Sequence, residues 1–312
     1  MDFSIVIPTY NSENRISAVL EKLRLQQGTE QITWEIIVVD NNSSDRTAEV
    51  ILNCQKQWNF QAPLRYVFEP KQGAGFARQR GVEIALGELI GCLDDDNLPE
   101  CDWVLQSYLF SKEYPQAGAY GGQNHPIYQV EPPPNFQRIH GYLAIRENGD
   151  KPFLFCPEKL QLPAGAGLVV RKQAWLDHVP PVLENIDRGG EDYEISLNLY
   201  KGGWEIWYNP KMHLAHDLPA YRLEKNYLLY LAHTYGLKSC LLLMLITPTW
   251  KKPILFFKTF LGGIRRSIAH QIKYKDQIKT DIVAACELQF FQSSVLSPFY
   301  YLKKKLSINS KF

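Results

Sequence analysis

Short apolar runs and longer amphipathic stretches alternate along the first part of the chain. Residues 3–7 (Phe-Ser-Ile-Val-Ile) and 34–39 (Trp-Glu-Ile-Ile-Val-Val) are nearly continuous apolar runs, closed by Pro8 and Asp40. Runs of this kind, rich in β-branched residues, read as strands buried on both faces of a parallel sheet. Between them, residues 13–26 carry Ile16, Val19, Leu20 and Leu23 at the spacing of one helix face, with Asn11 or Ser12 as N-cap. The alternation continues with a helix over 45–58, a strand over 65–68, a helix over 75–86 and a strand over 88–93. The expected fold is a doubly wound, mostly parallel α/β domain. Its right-handed crossovers bring the loops at Pro8, Asp40, Glu69 and Asp94 to one rim.

Regularity breaks over 123–162, where Pro126, Pro132-Pro133-Pro134, Pro152 and Pro157 predict a long loop or lid. It returns at 165–171, and Gly189-Gly190-Glu191-Asp192-Tyr193 is expected to open a helix that Gly202 closes. A strand follows at 204–208. Its Trp204, Trp207 and Tyr208 offer ring faces for stacking, although strand alternation buries one side and assigns Trp204 to the core.

A chain of 312 residues, 45% hydrophobic and 21% charged, is globular in composition, with one large core and an appendage. The net charge of +1 hides an asymmetry: residues 1–221 hold 19 Lys and Arg against 29 Asp and Glu, and residues 222–312 hold 15 against 4. The boundary near 221 therefore separates an acidic domain from a basic helical extension. Six cysteines without a C-x-x-C pair suit free thiols in a reducing compartment, and the N-terminus lacks the basic and apolar regions of a secretory signal, so a cytoplasmic location is expected. In the extension, apolar blocks at 241–246 and 254–257 are separated by Pro248, Lys251, Lys252 and Pro253, and each is shorter than the ~18 residues of a spanning helix. They read as interfacial amphipathic helices resting on an anionic membrane at its inner face. The competing reading is a helical extension that packs on the domain or makes a homo-oligomer. Nucleic acid is not an expected partner, because the aromatics follow apolar clusters and do not line a basic groove.

Asp94-Asp95-Asp96 directly follows the apolar run 89–93, where an open α/β sheet keeps its ligands. Clustered carboxylates repel one another, and a divalent cation bound to phosphate oxygens relieves that repulsion. The alternative is an acidic turn with Asn97 and Pro99 as ordinary turn residues. A dinucleotide fingerprint is not supported, since Pro8-Thr9-Tyr10-Asn11 stands where the glycine-rich turn belongs.

Five blocks in order, Ile7-Pro8-Thr9-Tyr10-Asn11, Val38-Val39-Asp40-Asn41-Asn42-Ser43-Ser44-Asp45, Gly73-Ala74-Gly75-Phe76-Ala77-Arg78-Gln79-Arg80-Gly81, Leu93-Asp94-Asp95-Asp96-Asn97 and Gly190-Glu191-Asp192-Tyr193, resemble family 2 glycosyltransferases of the GT-A fold. The resemblance implies an inverting, hexosyltransferase-like enzyme that uses a nucleotide-diphosphate-sugar, most often a UDP-sugar, with Mn²⁺ or Mg²⁺. The acceptor would be a hydroxyl of a glycan or lipid-linked molecule in polysaccharide biosynthesis, with 123–162 on the acceptor side. By the same resemblance Pro8, Thr9, Tyr10, Asn11, Asp40 and Asn42 line the nucleoside site. Gly73 and Gly75 let the backbone approach the donor, and Arg78, in preference to Arg80, meets the diphosphate. Asp94 and Asp96 form the Asp-x-Asp metal pair. Asn97 replaces an acid common among relatives, which leaves Asp95 as a substitute donor-site ligand. Asp192 is the expected general base, Glu191 orients the acceptor, and His216, near His213 and Asp217, completes the metal site. Two other readings compete: a nucleotidyl- or phosphotransferase with the same metal site, and a non-catalytic nucleotide-sugar-binding scaffold.

Overall fold

A computed structural model describes residues 1–183 and 190–309. Gly189, expected at the start of a helix, and residues 310–312 of the extension lie outside the described residues. The chain runs β1 (Phe3–Thr9), α1 (Ile16–Arg24), β2 (Trp34–Asp40), α2 (Thr47–Lys56), β3 (Leu64–Phe68), α3 (Ala74–Ile84), β4 (Leu89–Cys92), β5 (Asn97–Pro99), α4 (Trp103–Glu113) and β6 (Ala117–Tyr128). It continues with β7 (Phe153–Leu154), β8 (Leu168–Arg171), α5 (Lys172–His178), α6 (Glu191–Lys201), β9 (Glu205–Leu218), α7 (Lys225–Ile246), α8 (Lys252–Tyr274), α9 (Gln277–Thr280) and α10 (Ile282–Asn309).

The sheet has the order β3-β2-β1-β4-β8-β6-β9-β5, with β7 beside β9. β3, β2, β1 and β4 are parallel, in registers such as Ile5 opposite Ile36 and Gly91. From β4 onward the pairing turns antiparallel, starting with β8. Every residue of β1 and β2 is buried, as expected for strands covered on both faces. Ile16, Val19, Leu20 and Leu23 turn inward from α1 onto this sheet, so the apolar face read from the sequence is the packed one. The helix starts at Ile16, later than residue 13, because the preceding segment is tied into the turns: the Ser12 amide donates to the Thr47 hydroxyl at 2.7 Å and the Glu13 amide to Asp45 at 3.2 Å. Buried Glu35 is fully engaged, accepting from Ser4 Oγ at 2.8 Å, the Leu86 amide at 2.7 Å and Arg65 at 2.6 Å. That satisfies the rule for a charge inside a sheet.

Two compact units emerge: residues 1–127, 145–157 and 161–217 form the first, and residues 128–144, 158–160 and 218–312 the second. The segment 123–162 is more regular than its prolines suggest. β6 runs through Pro126 to Tyr128, and short 3₁₀ turns follow at Phe136–Arg138 and His140–Leu143. In the second unit, α10 packs along α7, burying Leu228, Ala232, Gly236, Cys240, Leu241 and Met244 of α7. Arg138 pairs there with Glu287, and Tyr142 stacks on Tyr235. The expectation of two apolar blocks too short to span is corrected by α7. The helix begins at Lys225, and its 22 residues are long and apolar enough, by length and composition, to cross a membrane, with 39% of its most apolar window buried.

Candidate active site

The carboxyl ends of the parallel strands meet at one rim because their crossovers all return the chain in the same direction. The first three loops are stitched together by side chains. Asn41, buried after β2, donates to the carbonyls of Glu69 (3.3 Å) and Lys71 (2.7 Å) and accepts from the Gly73 amide (2.7 Å). Asn11 accepts the Ser44 amide at 2.8 Å, and its own amide reaches Ser43 Oγ at 3.0 Å. Asn11 and Asn42 both take left-handed backbone angles (φ 48° and 61°), the region Asn tolerates better than other non-glycine residues.

Around that rim Pro8 and Thr9 are buried at the end of β1, whereas Tyr10 stands exposed with its ring available to a base. Asp40 is buried and accepts the Ser43 amide at 3.0 Å and the Tyr66 hydroxyl at 2.9 Å. It therefore shapes its own turn at the end of β2. Burial, reinforced by Asp40, pushes the Tyr66 hydroxyl up to about 12. Gly73 precedes α3 with φ 134°, an angle closed to side-chain-bearing residues, and Gly75 lies in the first turn.

Arg78 is the hub. It is 7% exposed on the inward face of α3 with Ala77, Gly81 and Val82, and donates to Asp94 at 2.7 Å and Glu191 at 3.3 Å. Burial works against its charge, but Asp94 and Glu191 outweigh that and hold its pKa above the ordinary arginine value. Arg80 is exposed on the other side of the same helix.

The three aspartates divide their contacts. Asp94 goes to Arg78, as above. Asp95 accepts from Thr9 at 2.9 Å and Arg15 at 3.2 Å; burial and its acidic neighbours raise its pKa despite both donors. Asp96 lies 3.6 Å from Nε2 of buried His216, whose strand β9 runs antiparallel to β5 with Asn97 opposite His216. Asn97 is fully buried; its Oδ1 accepts the Asp94 amide at 2.9 Å and its Nδ2 donates to Asp96 at 3.1 Å. Its amide thus holds the aspartate turn in shape, a task that needs both a donor and an acceptor.

Glu191 and Asp192 open α6, whose N-terminus favours carboxylates. Asp192 Oδ2 accepts the Gly165 amide at 2.9 Å, a close approach in which a methyl group at 165 would lie 3.0 Å from Asp192 Cβ. Burial raises the Asp192 pKa above the ordinary aspartate value, against the lowering pull of Arg78, the Tyr193 and Gly165 amides and Arg146. Arg146 also reaches the Tyr193 hydroxyl at 3.2 Å.

Asp96 and His216 offer a carboxylate oxygen and an imidazole nitrogen 3.6 Å apart, donor types that suit a divalent cation of the Mg²⁺ or Mn²⁺ kind. Among the described residues no three His, Cys, Asp or Glu side chains gather into a cage of their own.

Sequence reasoning missed Asn41, Arg15, Gly165 and Arg146. It also missed His125, whose Nε2 meets His213 Nδ1 at 2.9 Å while its Nδ1 meets Glu147 at 3.0 Å. Thus His213 is engaged by β6, away from the Asp96 contact. Of the aromatic residues expected to stack on a sugar, Tyr208 is fully buried with its hydroxyl on the Gly149 carbonyl, and Trp207 packs against Tyr114.

A family model for glycosyl transferase family 2 matches residues 4–165. The poly(ribitol-phosphate) beta-glucosyltransferase of Bacillus spizizenii is 34% identical over 113 residues, 36% of this chain and 18% of that one. The dolichyl N-acetyl-alpha-D-glucosaminyl phosphate 3-beta-D-2,3-diacetamido-2,3-dideoxy-beta-D-glucuronosyltransferase of Methanococcus voltae is 25% identical over 214 residues, 67% of this chain and 64% of that one. The matches thus cover less than two thirds of either relative. Among solved structures, the mannosyltransferase PcManGT of Pyrobaculum calidifontis, in complex with GDP-Man and Mn²⁺, superposes with TM-score 0.60 at 17% identity, covering 98% of this chain and 86% of that one. S. aureus TarS 1-349 in complex with UDP-GlcNAc gives 0.53 at 15% identity, covering 100% and 92%. At these identities the superpositions speak for the α/β fold, and together with the family model over more than half of its length they lead to one statement: the chain belongs to glycosyl transferase family 2.

Proposed function

We propose that the chain transfers a sugar, with inversion at the anomeric carbon, from a nucleotide-diphosphate-sugar to a hydroxyl of a glycan or lipid-linked acceptor in polysaccharide biosynthesis. The observation that supports this reading is Arg78, which joins the aspartate turn to the N-terminus of α6 and so links the residues assigned to the diphosphate with those assigned to the acceptor.

In this reading Tyr10 and Asp40 hold the base, Asn11 and Asn42 shape its pocket, and the backbone at Gly73 and Gly75 lies along the donor. Arg78 stabilises negative charge that grows on the leaving diphosphate. Asp95 fixes the turn through Thr9 and Arg15. Asp94, Asp96 and His216 would hold Mn²⁺ or Mg²⁺, which supplies charge neutralisation to the two phosphates. Asp192, with its pKa raised by burial, takes the proton of the acceptor hydroxyl as that oxygen bonds to C1 and the C1–O bond to the diphosphate breaks. Glu191, held by Arg78, faces the acceptor side. A UDP-sugar is the preferred donor, as in the TarS complex; the GDP-Man complex of PcManGT makes GDP the comparison to run. A cytoplasmic protein attached at the inner membrane face, beside a lipid-linked acceptor, belongs to the same picture.

A thermal-shift panel of UDP, GDP and CMP, each with and without Mn²⁺, on wild type and Asp96→Ala tests it. Stabilisation by UDP that requires both Mn²⁺ and Asp96 is the expected outcome. Stabilisation by GDP alone would change the donor, and no metal-dependent effect of any nucleotide would favour the scaffold reading. Release of a nucleoside diphosphate, as opposed to pyrophosphate, separates sugar transfer from nucleotidyl transfer.

A further inference from the structure

Helix α8 has two unlike faces. On one, Gly263 and His270 are buried, His270 Nε2 lies 2.8 Å from the Ala284 carbonyl of α10, and the rings of Phe256 and Phe260 meet Phe299. On the other, Ile254, Phe257, Leu261, Ile268 and Ile272 follow at steps of three, four, seven and four residues, which is one stripe of a helix. Together with Trp250 just before the helix, these side chains are between 52% and 71% exposed. A stripe of this kind on a helix about 35 Å long is a contact surface that the described residues leave uncovered.

The charge beside the stripe selects among partners. Lys258 stands one turn beyond Ile254 and Arg265 one turn beyond Leu261, so exposed cations border the stripe along one edge, with Lys251, Arg266 and Lys273 further round. Residues 250–274 contain no Asp or Glu. A second copy packed stripe to stripe would find only cations at the flanks of its partner helix, with no acids on it to pair with them. Anionic lipid headgroups neutralise the same cations, while the apolar stripe enters the boundary between headgroups and acyl chains.

We propose that the outward face of α8 is a docking site for an anionic phospholipid surface: the stripe of Ile254, Phe257, Leu261, Ile268 and Ile272 inserts, Trp250 sits at the headgroup level, and Lys251, Lys258 and Arg265 meet lipid phosphates. The proposal names the membrane contact of the sugar-transfer reading, yet flotation needs neither donor nor acceptor and so fails or succeeds apart from it.

The test is flotation of the full chain with vesicles of phosphatidylglycerol and phosphatidylcholine, beside vesicles of phosphatidylcholine alone, at low and high salt. Wild type rises with the anionic vesicles at low salt, and Trp250 emission shifts to the blue. The triple variant Ile254→Ser, Phe257→Ser, Leu261→Ser stays at the bottom while retaining the wild-type melting temperature. Lys251→Gln, Lys258→Gln, Arg265→Gln binds about 100-fold more weakly, at about fivefold for each charge, and no longer distinguishes the two lipid mixtures. Wild type that remains at the bottom at low salt overturns the proposal. So does a serine variant that floats like wild type, or one whose only change is a loss of dimer mass in light scattering, which would assign the stripe to a second copy.

Discussion

The two halves of the sheet deliver side chains to the site by different means. In the parallel half, β1, β2, β3 and β4 end at a common rim, and the residues that matter sit just past the strand ends, in turns locked by Asn11, Asn41 and Asn97. In the antiparallel half, His216 comes from within the 14-residue strand β9, and its place beside Asp96 depends on pairing with β5. A turn can vary its side chains and keep its shape as long as its hydrogen bonds hold. A residue inside a strand depends on register, where a slip of one position turns it to the opposite face. In the proposed reading the parallel half binds the donor and the antiparallel half places single groups against it.

The strongest way to break this division is to remove the base without touching the binding half. Asp192→Asn should keep donor binding, measured by thermal shift with UDP and Mn²⁺, while sugar transfer falls by about 10²–10⁴-fold. Arg78→Met, at the junction of the aspartate turn and α6, should cost about 3–5 kcal/mol by leaving Glu191 and Asp94 without their cation, read as a lower midpoint in urea. Part of that cost is screened on the Asp94 side, which is more exposed than Arg78.

A pH profile sharpens the comparison. As the proposed base, Asp192 acts only when deprotonated, and burial raises its pKa, so kcat/KM should decline as the pH falls through a midpoint above the ~3.9 of an ordinary aspartate. The same shift has the opposite sign for folding. A carboxyl with a raised folded-state pKa opposes the folded state once the pH passes its unfolded value, so Asp192→Asn should stabilise the protein above that range. A profile flat through the acid range would mean that another group takes the proton. The smallest effect is expected in the binding half, where Tyr66→Phe removes one hydrogen bond to Asp40. It should lower stability by about 1 kcal/mol and weaken nucleotide binding slightly, leaving the pH midpoint of transfer unmoved.

Much of the parallel half was legible because its signals are local. The apolar runs of β1 and β2 and the inward stripe of α1 depend on neighbours within a few residues, whereas the preference for Arg78 over Arg80 comes from the family resemblance and not from periodicity. The site residues of the antiparallel half lack such signals. His125 is partnered by His213, 88 residues away, and no spacing rule joins them. β6 persists through a proline because Asn124 exchanges both backbone hydrogen bonds with Arg146, at 2.8 and 3.2 Å, a tertiary pairing that outweighs local preference. Gly165 carried no sign of its role, since the close contact it makes comes from Asp192, 27 residues later.

The hub at Arg78 has a consequence for the order in which the chain becomes competent. Its bond to Glu191 closes a loop of 113 residues, and Thr9 to Asp95 closes one of 86. Contacts of such long range form late, since the chain must give up its freedom before they return any energy. A chain emerging from the ribosome can build the nucleotide-side strands early, but Arg78 and Asp94 stay without Glu191 until α6 has been made. The site is thus a report of how far synthesis has run, and a truncation ahead of α6 keeps β1 to β8 and their turns but loses Glu191, Asp192 and β9 with its His216.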